Sequence, residues 1–328
     1  MLALLVAALL VSEGPGAGAS LQTAPLQAGS APVSANEPAD LGDVVVQGRP
    51  LWDMTEQFVR EVGQPARNRG LARWSDGVCV GVVNLQTETA QYIADRVSTV
   101  AQDIGLIAGA PGCDPSILIV ATIDANAFTE DFVAMRPRLF VLGAAGTDRG
   151  YNALREFKTT ERPVRWWNVS VPTDSDTGEI AVRFPGAVSG NGAGDGSVTQ
   201  YAPQIQVRGV SRVSAQIVDV SKRSLIIIDI DKIQSANLPQ LADYLAMVSL
   251  AQINPDADTS GYATVLNLFD APEQVQGLTQ WDMAYLKGLY DAQRTRHNKM
   301  SARNEIASSI MRVHHQLTEA QTEPEGQK

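Results

Sequence analysis

Residues 224–253, SLIIIDIDKIQSANLPQLADYLAMVSLAQI, decide the fold. The first eight (224–231) are an isoleucine-rich run closed by aspartates, the pattern of a strand buried on both faces at the centre of a sheet. Asn237 stands where a helix needs its N-cap, and Leu238, Leu241, Leu245 and Val248 recur at helical spacing, predicting a helix over 238–253. A central strand feeding a long apolar helix gives an α+β chain: a mixed twisted sheet, a long central helix and further helices toward the C-terminus.

Upstream, Trp52, Phe58, Val59 and Val62 have helical spacing over 51–62, and VCVGVV (78–83) reads as a buried strand. Residues 87–104 form an amphipathic helix with Ile93, Val97, Val100 and Ile104 on one face, and 117–123 is a second strand. Strand, helix, strand in this order is a βαβ unit, so these strands are expected to be parallel. Residues 128–135 and 151–157 read as short helices. The segment 163–171, PVRWWNVSV, is strand-like and sends Trp166 and Trp167 to opposite faces. A turn at 174–178 leads to a possible hairpin partner at 180–184. The glycine-rich stretch 186–198 reads as a loop; a strand follows it, whereas a phosphate-cradling loop needs a helix. Residues 213–220 are expected to form a strand separate from 224–231. Downstream, Thr279 and Asp282 match a capping box flanked by Leu278 and Met283. Leu286, Leu289 and Tyr290 point inward from that helix, and a last helix over 301–317 carries Ile306, Ile310, Val313 and Leu317.

Composition narrows the function. The 328-residue chain has 26 Lys+Arg against 36 Asp+Glu, a net charge of −10, which argues against nucleic acid as a partner. No apolar run reaches the roughly 20 residues of a membrane span. Residues 1–19 fit a signal peptide, with Ala17-Gly18-Ala19 as the cleavage site, although no basic residue precedes the apolar run. Residues 20–47, rich in Ala, Pro, Ser and Gly, read as a disordered linker; 48–317 is the folded domain and 318–328 a polar tail. An exported, periplasmic or secreted chain with two cysteines invites a Cys79–Cys113 disulfide between neighbouring strands, a closure of about 3–4 kcal/mol in the chain-entropy model.

The order of these elements resembles a zincin-like domain of the matrixin metalloprotease type, in the eroded form seen in a family of uncharacterised exported bacterial proteins. The stretches that carry the resemblance are LADYLAMVSLAQI (241–253), NPDADTSG (254–261), TVLNLF (264–269) and LTQWDMAYLKGLY (278–290), with LARWSDGVCVGVV (71–83) and DPSILIVAT (114–122) as first strands. An active zincin places two histidines at i and i+4 on one helix face, with a glutamate after the first. Aligned on Leu250-Ala251, those positions hold Tyr244, Leu245 and Val248, and no histidine follows in 254–264. The resemblance therefore implies a pseudoprotease scaffold without zinc or other cofactor.

Other candidate sites are weaker. Asp256, Asp258 and Ser260 match half of a calcium loop, but the eighth and twelfth positions are Ala263 and Asn267. His314 and His315 point about 100° apart on a helix and do not converge on one metal. His297 lies in a basic connector with Arg294, Arg296, Lys299 and Arg303. Asp229/Asp231 and Asp174/Asp176 are carboxylate pairs whose spacing alone does not indicate acid–base work. The leading expectation is a non-catalytic module that holds an extended peptide, or a protein of the cell envelope, against a sheet edge, with Trp166, Trp167, Tyr244 and the 186–198 loop around the cleft. The alternative is a hydrolase whose site uses Asp, Tyr and His297.

Overall fold

Phe58, Val59 and Val62 come together as the buried face of α1 (Leu51–Val62). Strand β1 (Val80–Val83), helix α2 (Thr87–Asp103) and strand β2 (Ile117–Thr122) follow, and β1 and β2 are parallel with Val80 opposite Ile117. Three short helices, α3 (Ala125–Met135), α4 (Pro137–Phe140) and α5 (Tyr151–Thr159), precede strands β3 (Val164–Asp174) and β4 (Ile217–Asp229). Helices α6 (Leu238–Leu250), α7 (Gln280–Asp291) and α8 (Lys299–Thr322) complete the chain. The computed structural model describes residues 50–66, 69–75, 77–140, 149–181, 215–295 and 298–322. The expected signal peptide (1–19), the linker (20–47), the 186–198 loop and His297 lie outside them. No helix among the described residues is long and apolar enough to cross a membrane.

The sheet order is β1-β2-β4-β3, with β4 parallel to β2 and β3 antiparallel to β4. Both faces are covered, which is why β4 is apolar at consecutive positions. Ile226 and Ile228 join Trp166, Ile117 and Ile119 in the larger core beneath α1, α2, α6 and α7. Leu225 and Ile227 join Trp167, Val169, Phe140 and Phe157 in a smaller core beneath α3–α5. Each fully buried large side chain contributes about 1.5–3 kcal/mol of transfer free energy.

Several boundaries differ from expectation. Residues 213–220 and 224–231 do not form two strands; 217–229 is one. Val169 pairs with Arg223 and Ser170 with Ser221, so Lys222 is the extra residue of a bulge in a continuous ladder. The polar Ser221-Lys222-Arg223 triplet spans that bulge. Helix α6 stops at Leu250, three residues early, because the chain turns to pair with the end of α1: Gln64 N donates to Gln252 O (2.8 Å) and Asn254 N to Val62 O (2.7 Å). Helix α3 starts earlier than expected because Asp124 caps it, accepting from Ala127 N at 2.9 Å. Helix α8 runs on to Thr322, into the expected tail. Ile180 does bridge Thr173 across the 174–178 turn.

The capping residues act as their sequence suggests. Asn237 and Gln240 form a reciprocal box at α6, and Thr279 and Asp282 form one at α7. Gly288 lets α8 approach α7 closely, since a Cβ there would lie 2.6 Å from Ile310. Cys79 and Cys113 are disulfide-bonded, tying the residue before β1 to the turn before β2.

Candidate functional site

A cavity of about 290 Å³ opens where the start of β3 meets α6. Its walls come from residues 160–164 and Trp166, from Tyr244 of α6, and from the connection after α6, including Ile253, Ala257, Leu266, Phe269 and Asp270. Three aromatic rings stand at steep angles: Trp166 and Tyr244 are 6.2 Å apart at 70°, Tyr244 and Phe269 5.0 Å apart at 71°. Trp166 is fixed by donating from Nε1 to the Ile253 carbonyl at 2.9 Å. Burial pushes the Tyr244 phenol above its ordinary range, with Arg162 opposing and Asp270 reinforcing the shift. The Tyr244 hydroxyl makes no hydrogen bond to any other described residue.

The charges around the cavity are mostly paired. The Arg162 guanidinium donates to the Pro255 carbonyl and to the Asp256 carboxylate. Glu161 lies 3.5 Å from the Lys232 ammonium, which also reaches Asp229 at 3.3 Å. Asp270 lines the cavity, is exposed, and has no ionic partner among the described residues.

Beside this cavity, the outer backbone edge of β3 is open among the described residues. Asp229 N donates to Pro163 O, so in the antiparallel ladder the groups of Arg165 and Trp167 face β4, whereas those of Val164 and Trp166 face away from it. Neither Val164 nor Trp166 makes a main-chain bond to a described residue on that outer side. The open stretch is short, because Asn168 Nδ2 donates to the Ala251 carbonyl and closes the edge beyond it.

Of the residues expected around a cleft, Trp166 and Tyr244 meet here and Trp167 does not. Trp167 points to the opposite face, is 1% exposed, and donates from Nε1 to the Phe140 carbonyl at 2.8 Å. Arg165, between strand neighbours of both faces, is 2% exposed and closes the end of α5 by donating to the Phe157 and Lys158 carbonyls. Phe269, Asp270 and Arg162 belong to the cavity but carry no sequence signal of their own; Phe269 shows only as the last apolar residue of TVLNLF.

The remaining candidates lie apart. Asp256 faces Arg162, while Asp258 accepts from the Ser260 hydroxyl (2.7 Å) and N–H (3.2 Å), which hold its carboxyl below the ordinary range. Asn267 accepts from the Thr259 hydroxyl at 2.6 Å. No group of three or more His, Cys, Asp or Glu side chains is placed to hold a metal among the described residues. His314 packs edge-on against Trp281, and burial lowers its pKa; His315 reaches Glu319. Asp174 accepts from the Thr177 and Asp176 N–H groups, which hold its carboxyl below the ordinary range. Asp282 is the carboxyl that burial pushes up, to about 6. A raised carboxyl is a candidate catalytic acid, but this one is fully buried and accepts from Thr264 Oγ1, Val265 N and Thr279, so it is part of a cap. No protein-family model matches the chain, and neither curated proteins nor solved structures give a significant match.

Proposed function

We propose that the chain is an exported, non-catalytic binding module on a zincin-like scaffold, and that its cleft holds an extended peptide by strand addition. The observation that carries this reading is the open edge of β3 at Val164 and Trp166, bordering an aromatic-walled cavity. A peptide laid there gains main-chain hydrogen bonds from the edge and a pocket for one of its side chains. The scaffold reading is supported by a parallel sheet whose one antiparallel strand lies at the edge, over a long helix. The residues at the ligand positions of that helix do not fit zinc: Leu245 and Val248 are fully buried and carry no donor atom, and Tyr244 faces Trp166 and Phe269. Export is supported by the disulfide, which persists in oxidising compartments.

The test is a fluorescence-polarisation screen of extended peptides, followed by mass spectrometry of the same peptides after incubation. Saturable binding without cleavage is expected, insensitive to a chelator and weakened when alternate backbone amides of a bound peptide are N-methylated. Chelator-sensitive cleavage overturns the reading, and so does binding indifferent to N-methylation at every position.

A further inference from the structure

We propose that the cavity beside β3 is a site for an organic cation and that, on the peptide-binding reading on which this rests, it takes a lysine or arginine side chain. Three independent features agree. Trp166, Tyr244 and Phe269 all line the space, Trp166 and Phe269 each standing about 70° to Tyr244. Ring faces attract alkylammonium and guanidinium groups through their quadrupole, and more strongly where water is excluded. Trp166 and Tyr244 are only 6% and 7% exposed, so both rings are held in place by the packing around them.

The second feature is the sign of the charge left over. Arg162 is neutralised by Asp256 and hydrogen-bonded to Pro255, and Glu161 is matched by Lys232. The carboxylate of Asp270 is the lining charge without a counter-ion among the described residues. An anionic ligand would meet that carboxylate and a guanidinium whose two terminal nitrogens are already engaged; a cation would complete the set. The third feature is a free acceptor: the Tyr244 hydroxyl, without a partner among the described residues, offers its oxygen to an N–H donor. A volume of about 290 Å³ sits at the lower limit for ligand pockets, suited to one long side chain and its backbone rather than to a large cofactor.

The experiment uses the full chain labelled with 5-fluorotryptophan. Its five tryptophans give resolvable fluorine signals, and Trp166→Phe assigns the one at the cavity. The protein is titrated with n-butylammonium and, separately, with neutral 1-pentanol. A saturable shift of the Trp166 signal with the amine is expected, with pentanol binding about 5- to 30-fold more weakly and Asp270→Asn reducing amine binding by a similar factor. Asp270 is exposed, so the variant is expected to fold, which the other four signals verify. Peptides differing only by lysine or norleucine separate this inference from the reading beneath it. If the amine binds and no peptide does, the cation site stands and the peptide reading falls. If peptides bind with no preference for lysine and butylammonium gives no saturable shift, the cation site is overturned while the peptide reading stands.

Discussion

Trp166 and Trp167 are chemically identical neighbours with opposite tasks, and the difference between them is the difference between the two faces of the sheet. Each donates its indole N–H to a main-chain carbonyl, Trp166 to Ile253 and Trp167 to Phe140. Trp167 packs against Phe140 and Phe157 in the smaller core and is 1% exposed. Trp166 has core on one side and the cavity on the other. The two-residue period of a strand sends them apart, but the helices over each face decide which becomes structural and which can meet a ligand.

Truncating each in turn gives the largest contrast. Trp167→Ala leaves a closed void and is expected to cost about 3–5 kcal/mol. Trp166→Ala removes a similar area but enlarges a space that already opens outward, so the cavity contribution shrinks and the cost is expected near 2–3 kcal/mol. Both variants leave one carbonyl unpaired, so that loss cancels between them. Urea denaturation of the two proteins measures the difference; equal losses would break the distinction between an open and a closed face.

The disulfide provides a control that belongs to neither tryptophan. Replacing Cys79 and Cys113 by alanine removes a closure spanning 34 residues and is expected to lower stability by about 3–4 kcal/mol. Added to either tryptophan variant, the loss should be additive, since the bridge shares no partner with them. A non-additive result for Trp166 alone would show that the β1–β2 end of the sheet communicates with the cavity.

The α6–α7 side also holds a carboxyl whose ionisation is linked to stability. Burial raises the Asp282 carboxyl to about 6, above its value in the unfolded chain. The unfolded state therefore loses its proton first. The stability tied to this group is complete below about pH 4 and declines as pH rises through 6, by at most about 3 kcal/mol. Denaturation midpoints between pH 4 and 7 should fall relative to those of Asp282→Asn, which cannot ionise. A parallel pH profile for the two proteins would mean that the donors around Asp282 keep it ionised throughout.

How legible all this was in the sequence follows the physics of each feature. Isoleucine runs, helical spacing and the residues Asn237, Thr279 and Asp282 announce their elements because strand burial and helix capping are local demands. The opposite placement of Trp166 and Trp167 is equally local. The bulge at Lys222 is not: a polar triplet divides two apolar runs in the sequence unless a long partner strand holds it extended, and that partner lies about fifty residues away. The cavity is less legible still. Tyr244 is visible on its helix, but Phe269, Asp270 and Arg162 come from separate connections whose meeting is a tertiary fact. The same applies to the carbonyl bonds from Arg162 to Pro255 and from Trp166 to Ile253, which position the rim without any pattern in the chain.

The smallest effect tests whether the open face depends on its helix end. Asn237 accepts from Gln240 N at 2.9 Å while its own N–H donates to Gln240 Oε1 at 2.8 Å. Asn237→Ala breaks one side of this box and is expected to cost about 1 kcal/mol, and Asn237→Gly only a few tenths. Gln240 also donates to the Pro272 and Val275 carbonyls, so the start of α6 stays anchored without the cap. Tyr244, a turn further on, is held by Trp166 and Phe269. Its hydroxyl and the cavity should therefore be unchanged, and Asn237→Ala should bind butylammonium as the parent chain does. If the amine site weakened together with the cap, the open face would owe its shape to the fraying of one helix end, whereas Trp167, enclosed by α3–α5, would keep its place regardless.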